Sequence, residues 1–273
     1  MNEVRPKWAA CIVYYQDKES LSNLLDSLQS QTIKPSVVYV ADNNSAQAPS
    51  IGNYSFPVEI TKLSENKGFA GGANIAIRNA IKDNFELLML LSQDVLLSFD
   101  SAEKLINKQL VYKGITFPTM MNRNTNKVFS KGGKVNKYCG TIKLSTTSSP
   151  TNTDWADGSC LVFDKEVFEK NSGIFENFFM YFEDVDFCLR AKANGYKITY
   201  VDTLVSQTPK GPNSYLRSKN SVILARRNGS NLLKISITKR NIFGALSLLA
   251  RFRFKEAISR LKGLFQGWVA EIE

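Results

Sequence analysis

The sequence Glu-Leu-Leu-Met-Leu-Leu-Ser-Gln-Asp at residues 86–94 is an apolar run that ends in a polar turn and an aspartate. Short apolar runs of this kind are typical of strands buried on both faces of a parallel sheet. Residues 37–42 (Val-Val-Tyr-Val-Ala-Asp) repeat the pattern. Because ligands bind beyond the carboxyl ends of parallel strands, we expect Asp42 and Asp94 at a ligand-binding edge.

Strand and helix signals alternate around these two runs. Further strands are predicted at residues 8–15, 58–63, 157–163 and 196–201, and helices at 19–31, about 72–82 and 183–194. This order predicts an α/β fold, Rossmann-like, with a mostly parallel central sheet flanked by helices. Residues 112–154 are rich in Lys, Asn, Ser, Thr and Gly, and they predict loops and a small hairpin.

The composition excludes several classes of site. The chain has no histidine, which excludes Ser-His-Asp and Cys-His hydrolases and His-ligated zinc sites. Any general base must therefore be Asp, Glu, Lys, Tyr or Cys. The cysteines Cys11, Cys139, Cys160 and Cys188 lie far apart without a CxxC pair, which predicts reduced, mostly buried thiols.

The basic charge is concentrated near the C-terminus. The net charge is +10, and residues 226–263 hold ten Lys or Arg and one acid, Glu256. Residues 242–268 alternate apolar groups with basic ones, as a basic amphipathic helix does. Such a helix can lie on an anionic membrane surface, or it can pack on the main domain with a solvated basic face. Nucleic acid is not an expected partner, because the sequence has no interleaved platform of stacking aromatic residues.

The expected location is the cytoplasm, or the inner face of the cell membrane if the tail binds lipid. No apolar run approaches the roughly 18 residues that span a bilayer. The N-terminal apolar stretch is short, and Asp17, Lys18 and Glu19 follow it where a signal peptide would have its cleavage site.

Residues 66–74 (Asn-Lys-Gly-Phe-Ala-Gly-Gly-Ala-Asn) form the first candidate site. Glycines let a backbone approach a ligand closely, and the N-terminus of a following helix offers N–H groups to an anion. The same residues are also compatible with an ordinary turn between a strand and a helix.

Acidic residues supply the remaining candidates. Asp94 suits a divalent cation bound to a diphosphate, although an aspartate at a strand end can also cap a turn. Glu183, Asp184 and Asp186 form a costly cluster of charge. Asp186 has the i,i+4 spacing to pair with Arg190, and Glu183 can belong to a helix N-terminus, whereas Asp184 has no evident partner in the sequence.

Taken in order, these segments resemble the family 2 glycosyltransferases with a GT-A fold, especially the rhamnosyltransferase-like members. The matching segments are Tyr15-Gln16, Asp42–Ser45, Asn66–Asn74, Ser92–Asp94, Asp157–Ser159 and Phe178–Arg190. The resemblance covers residues 8 to about 230. It implies a catalytic domain at 1–230, with a nucleotide-sugar half at about 1–100 and an acceptor half at about 101–230. Residues 231–273 would form the basic amphipathic helical tail.

The resemblance also implies roles for individual residues. Asp42 would contact the base or ribose, Asp94 would hold Mg²⁺ or Mn²⁺ on the diphosphate, and Asp184, beside Glu183, would be the catalytic base. The remaining pocket residues would be Tyr15, Asn44, Asn66, Gly68, Phe69, Asn74, Gln93, Trp155, Asp157 and Gly158. Trp155 can stack on a sugar ring, although a tryptophan is more often part of a core.

Two positions depart from the family pattern. Ser92 replaces the first acid of a DxD motif, as in rhamnosyltransferase-like members. Gln207 stands where relatives carry a metal-ligating His, so its amide oxygen is the expected, weaker ligand.

The implied function is inverting transfer of rhamnose or a similar hexose from a dTDP- or UDP-sugar. The acceptor would be a hydroxyl of a glycan or polyprenyl-linked glycan in cell-surface polysaccharide synthesis. The departure at Gln207 leaves an alternative, a non-catalytic relative that binds nucleotide sugar or glycan.

Overall fold

The structure, a computed structural model, describes residues 6–272 except 137, 139, 147–152, 209, 210 and 212. The strands are β1 (Ala9–Tyr14), β2 (Val37–Asp42), β3 (Val58–Lys62), β4 (Leu87–Ser92), β5 (Val95–Leu97), β6 (Gly114–Asn122), β7 (Lys127–Ser130), β8 (Gly133–Asn136), β9 (Thr141–Leu144), β10 (Cys160–Asp164) and β11 (Lys197–Gln207). The helices are α1 (Lys18–Gln29), α2 (Gly68–Lys82), α3 (Ser101–Tyr112), α4 (Lys165–Lys170), α5 (Glu183–Ala193), α6 (Ser214–Asn228), α7 (Asn231–Ala250) and α8 (Phe254–Val269).

One mixed sheet runs through the described part in the order β3-β2-β1-β4-β10-β6-β11-β5, with β7 paired to β6. The first four strands are parallel, and so are β6 and β11. Strand β10 is antiparallel to both of its neighbours, β4 and β6. The predicted α/β fold class is confirmed, and the carboxyl ends of β1, β2 and β4 meet at one edge of the sheet.

The sheet has helices on both faces, and the alternation of residues in β1 shows why. Cys11 and Val13 belong to a core cluster that contains the alanines of α2. Ile12 and Tyr14 point to the other face and join the leucines of α1. A strand that is buried on both faces needs apolar residues throughout, which explains the unbroken run in β1.

Helix α2 begins four residues earlier than the sequence predicts. The glycines that were expected to form a turn lie in its first turns, where they let the helix approach its neighbours. A side chain at Gly72 would come within 2.7 Å of Val13 Cγ1, and one at Gly68, where φ is +70°, would collide with the carbonyl of Phe179. These glycines therefore set the packing of α2, and its N-terminus faces the edge described above.

The middle of the chain is more regular than expected. The predicted small hairpin is present as β8–β9. However, β6 is a nine-residue strand inside the sheet, and the prediction of loops there is wrong. Strand β5 and helix α3 were not predicted.

The predicted helical tail is present, and it is a hairpin of two helices, with a break inside the amphipathic stretch 242–268. Helix α7 ends where Leu248 O accepts the N–H groups of both Arg251 and Arg253, and Phe252 between them has φ +57°. Trp268 of α8 donates its Nε1–H to Thr238 of α7, so the two helices are antiparallel.

Helix α8 also packs closely along α6. A side chain at Gly263 would collide with the carbonyl of Tyr215, and one at Gly267 would lie 2.5 Å from the carbonyl of Lys219. Between these two contacts the residue number increases by four on each helix, so α6 and α8 run parallel. The absence of side chains at these two positions allows the close approach.

Within the part of the chain that the structure describes, none of the helices combines the length and the apolar character that crossing a bilayer requires. Cys11, Cys160 and Cys188 are buried and free, as predicted, and Cys139 lies outside the described residues.

Candidate active site

A cleft of about 780 Å³ opens at the carboxyl ends of β1 and β4. Its volume is that of a site for a small molecule or cofactor. The predicted residues that line it are Tyr15, Asn66, Gly68, Phe69, Gln93, Asp94, Trp155, Asp157, Gly158, Glu183, Asp184 and Gln207. Twelve residues chosen from distant segments of the sequence therefore share one cavity.

Gln93 ties the ends of β1 and β4 together. Its Oε1 accepts the backbone N–H of Tyr15 at 2.6 Å, and its Nε2 donates to the carbonyl of Tyr15 at 3.2 Å. These bonds fix the floor of the cleft. The ring of Tyr15 is 44% exposed and stays available to a ligand.

The polar turn after β2 positions the start of α2. Asn43 donates its Nδ2–H to the carbonyl of Gly68 and accepts the N–H of Lys67, each at 2.8 Å. Asn43 lines the cleft, although the sequence analysis did not select it. Its neighbour Asp42 is buried and accepts the N–H of Ser45 at 2.9 Å.

Three predicted residues, Asp42, Asn44 and Asn74, are not among the residues that line this cleft, and their binding roles stay predictions. One oxygen of Asp42 accepts the N–H of Ser45, and Asn44 is exposed with φ +58°. Asn74 is buried, where it donates to the carbonyl of Ile174 at 2.7 Å and to Glu176 Oε1 at 2.8 Å. Asn74 therefore holds the neighbouring loop at Ile174–Glu176.

Asp94 is held by a chain of hydrogen bonds. Its Oδ1 accepts from Nε2 of Gln207 at 3.0 Å, and Oε1 of Gln207 accepts from the hydroxyl of Ser159 at 3.2 Å. Arg123 donates to the Asp94 carbonyl at 2.6 Å. In this arrangement Gln207 orients the Asp94 carboxylate through its Nε2–H, its Oε1 accepts one hydrogen bond, and its role as a metal ligand stays a prediction.

Three further carboxylates line the cleft: Glu183 and Asp184 at the start of α5, and Asp157 before β10. Asp184 accepts the N–H of Gly158 at 3.0 Å and that of Val185 at 2.8 Å, one with each carboxylate oxygen. Glu183 is 7% exposed, and its Oε2 has no hydrogen-bond partner among the residues described. Asp157 accepts the N–H of Ser159 at 3.0 Å.

The crowding of these acids changes their protonation. Burial, followed by the charge of Asp157, raises the pKa of Asp184 to about 7, against the lowering effect of the two N–H groups. Burial and then Asp184 raise the pKa of Glu183 well above its usual range. Burial raises the pKa of Asp157, and the charge of Asp94 adds to the shift. A carboxylate that titrates near neutral pH is suited to accept a proton in catalysis.

The acids also suit a divalent metal ion. Asp94 and Asp157 are close enough for one charge to raise the pKa of the other, and Mg²⁺ and Mn²⁺ prefer such oxygen donors. Among the described residues no group of three acids or cysteines could hold the ion unaided. Mg²⁺ is commonly bound by one or two carboxylates together with substrate phosphates, and the residues present fit that arrangement.

A strained loop carries the aromatic wall of the cleft. Phe179, Tyr181 and Phe182 all have positive φ, between 62° and 72°, which is costly for residues with side chains. The buried amide of Asn220, on α6, holds this loop in place. It donates to the carbonyls of Phe178, Met180 and Tyr181 at 2.7–2.9 Å.

The predicted pairing of Asp186 with Arg190 is present, with Arg190 Nε 2.7 Å from the fully buried carboxylate. Asn228 and Arg227 of α6 also donate to Asp186, at 2.5 and 3.2 Å. Asp186 is therefore a structural anchor between α5 and α6.

Sequence reasoning missed Asn43, Asn220 and Arg217, which lines the cleft from α6. Asn43 could have been found, because it lies inside the Asp42–Ser45 segment that carries the resemblance. Asn220 and Arg217 reach the site only through the packing of α6, and no local pattern marks them.

Comparison with known proteins supports these observations. Residues 9–172, more than half of the chain, match the model of the family described as "Glycosyl transferase family 2". A relative from Haloferax volcanii, "Low-salt glycan biosynthesis hexosyltransferase Agl10", is 25% identical over 194 residues. That match covers 68% of this chain and 62% of the relative, so the chain spans less than two thirds of the relative's length.

Solved structures share the fold. The crystal structure of S. aureus TarS has a TM-score of 0.54 at 14% identity, covering 85% of this chain and 41% of TarS. The crystal structure of TarS 1-349 has the same TM-score at 15% identity, covering 96% of this chain and 80% of that one. TarS 1-349 in complex with UDP gives 0.52 at 14% identity, with 85% and 68% covered.

We expect Asn220→Ala to loosen the loop at residues 178–182. The substitution removes the donor shared by three carbonyls, and unsatisfied buried polar groups cost about 1–3 kcal/mol each. Chemical denaturation should show a loss of about that size, and hydrogen exchange at 179–185 should accelerate. Asn177→Ala is the matched control, because Asn177 is exposed and donates to a single carbonyl, that of Glu271. Equal effects of the two substitutions would contradict the role of Asn220.

Proposed function

Because the chain belongs to glycosyl transferase family 2 and has the GT-A fold expected from the sequence, we propose that it is an inverting glycosyltransferase. One observation carries the proposal. A single cleft holds Asp94, Asp157 and Asp184, and the pKa of Asp184 is raised by burial and by the charge of Asp157. This arrangement suits a donor diphosphate and an activated acceptor hydroxyl placed side by side.

The proposed donor is a UDP- or dTDP-sugar. The similarity to TarS, whose structure was solved with UDP, favours a uridine nucleotide. Tyr15, Asn66 and Phe69 at the sheet edge are available to contact the nucleoside and sugar, and Trp155 can stack on the sugar ring. We propose residues 1–100 as the nucleotide-sugar half and 101–230 as the acceptor half of the catalytic domain.

The chemistry follows from the placement of charge. A sugar hydroxyl is a weak nucleophile, so Asp184 would take its proton as the hydroxyl attacks the anomeric carbon. The departing nucleoside diphosphate gains negative charge, which N–H groups at the start of α2 and the guanidinium of Arg217 can stabilise. A bound Mg²⁺ or Mn²⁺, held by Asp94 and Asp157, would supply further positive charge to the diphosphate.

Glu183 would serve the same step indirectly. Its buried carboxyl, with a strongly raised pKa, lies beside the base and has an oxygen without a partner in the described part of the chain. In its protonated form it can donate a hydrogen bond to an acceptor hydroxyl without adding a second negative charge.

The proposed acceptor is a hydroxyl of a glycan or polyprenyl-linked glycan, and the proposed sugar is rhamnose or a similar hexose. The Haloferax relative is named for glycan biosynthesis, which supports a role in cell-surface polysaccharide synthesis. We place the protein in the cytoplasm, peripheral to the inner face of the membrane through residues 242–268 of the 231–273 tail.

Donor binding should depend on both nucleotide and metal. UDP or a UDP-sugar with Mn²⁺ should raise the melting temperature, because a ligand that binds only the folded state stabilises it. Asp94→Asn should remove the part of the shift that needs Mn²⁺. Asp164→Asn is the control, since Asp164 also has a raised pKa but is bonded to Gln109 outside the cleft lining. An unchanged Mn²⁺ response in Asp94→Asn would remove Asp94 from this role.

Replacing the base should separate catalysis from binding. Asp184→Asn should lower transfer or donor hydrolysis by about 100-fold or more, the usual contribution of general base catalysis. Donor affinity from calorimetry should stay near that of the wild type, and Asp164→Asn should leave both quantities unchanged. If the wild type binds donor but neither transfers nor hydrolyses it, the protein is instead a non-catalytic nucleotide-sugar-binding relative.

The pH profile should report the same carboxylate. Asp184 must be ionised to act as a base, so kcat/KM should fall as pH drops through about 7. Asp157→Asn removes a charge that raises the pKa of Asp184, and it should move the midpoint of the profile to lower pH. A wild-type profile that is flat between about pH 5 and 8 would exclude Asp184 as the titrating base.

A further inference from the structure

The tip of the α7–α8 hairpin is formed by residues 251–255 (Arg-Phe-Arg-Phe-Lys), and all five are exposed. Phe252 is 82% exposed and Phe254 54%, and their rings contact each other with centroids 6.2 Å apart. Exposed phenylalanines separated by basic residues are unusual on a surface that faces only water.

Both helices extend this apolar and basic character. Their exposed large apolar side chains include Ile242, Phe243, Leu246, Ile258, Leu261, Phe265, Trp268 and Val269. Exposed cations on the same helices include Lys239, Arg240, Arg251, Lys255 and Lys262. An apolar face bordered by cations is the composition of helices that lie in a lipid interface.

Three arginines connect the tail to the cleft. Arg217 lines the cleft from α6, and Arg260 donates to Asn241 Oδ1 and to the carbonyl of Arg240. Burial, and then the charges of Arg240 and Arg217, lower the pKa of Arg260, so the three cations lie near one another. This concentration of positive charge repels a second copy of the chain and attracts an anionic surface.

The direction of the helices places the tip on the cleft side. Helices α6 and α8 are parallel, and Gly263 lies level with Tyr215 near the start of α6. At this alignment the first residue of α8 lies about eight residues before the level of Ser214, where α6 begins. Eight helical residues rise roughly 12 Å, so α8 extends that far past the end of α6 that carries Arg217. The tip projects from the same end of α6 that borders the cleft.

We propose that the α7–α8 hairpin docks on an anionic lipid bilayer, with Phe252 and Phe254 inserted among the headgroups and the mouth of the cleft turned toward the same surface. This inference rests on the proposed peripheral location of the protein. Beyond that location, it specifies which part of the tail enters the lipid and how the cleft is oriented toward the membrane. An acceptor anchored in the bilayer would then meet the cleft without leaving the membrane.

The experiment uses the full-length protein and vesicles of phosphatidylcholine, alone or mixed equally with phosphatidylglycerol. Wild-type protein should sediment with the anionic vesicles at least tenfold more strongly than with the neutral ones, and high salt should weaken the binding. The variant Phe252→Asn/Phe254→Asn should bind at least tenfold more weakly. Asparagine is chosen because it tolerates the positive φ of position 252.

The matched control is Phe99→Asn, since Phe99 is 69% exposed and lies between β5 and α3, away from the tail. It should bind vesicles as the wild type does.

Equal binding to neutral and anionic vesicles would overturn the proposal, as would undiminished binding of the tip variant. If light scattering shows that the wild type is a dimer and that Phe252→Asn/Phe254→Asn is a monomer, the exposed face of the hairpin instead binds a second copy of the chain. Thermal shifts with UDP, measured on the same samples, keep the two proposals apart. A tip variant that loses vesicle binding but keeps its response to UDP supports the docking surface, whereas a wild type without that response contradicts only the proposed donor.

Discussion

The site depends on the hydrogen bonds and ion pairs that the buried carboxylate of Asp186 makes. Arg190, Arg227 and Asn228 all donate to it, so it joins α5 to α6 in an environment without solvent. Removing one partner from a buried ion pair leaves an uncompensated charge, which costs about 3–5 kcal/mol. This constraint fixes the first turn of α5, and it therefore fixes the distance between Asp184 and the rest of the cleft.

The same geometry imposes a cost on the fold. The folded-state pKa values of Asp157, Glu183 and Asp184 are raised above their unfolded values. Folding therefore takes up protons in the pH range between the unfolded and folded pKa values, and stability falls as the pH rises through that range. The penalty is absent below the unfolded pKa values and is fully present above the folded ones. This loss of folding stability is the consequence of burying carboxylates so that one of them can act as a base near neutral pH.

Sequence reasoning found the elements whose pattern is local and missed those defined by tertiary contacts. The parallel strands and α5 follow from apolar runs and spacing. Strand β6 was missed because it lies in the Lys-, Asn-, Ser-, Thr- and Gly-rich stretch 112–154, and it also contains Pro118, although proline is uncommon in a central strand. In the structure, β10 pairs only with Ile115 and Thr116, and the register with β11 shifts beyond Phe117, so no ladder bond is needed from Pro118. The break in the tail lacks Gly or Pro, so no local signal marks it. The burial of Asn74 against Ile174 and Glu176 could not be predicted, because an interior amide and a pocket amide look alike in sequence.

The bracing of the aromatic loop by Asn220 makes helix α6 part of the support of the cleft. The core that joins α6, α7 and α8 is small and separate from the two clusters around the sheet; it comprises Val222, Ala225, Leu233, Ile237 and Leu264. Such satellite cores open at lower free energy than a main core does. On warming, the helical hairpin would therefore detach before the sheet melts, whereas α6, whose Ile223 and Leu224 belong to the main core, would still brace the loop.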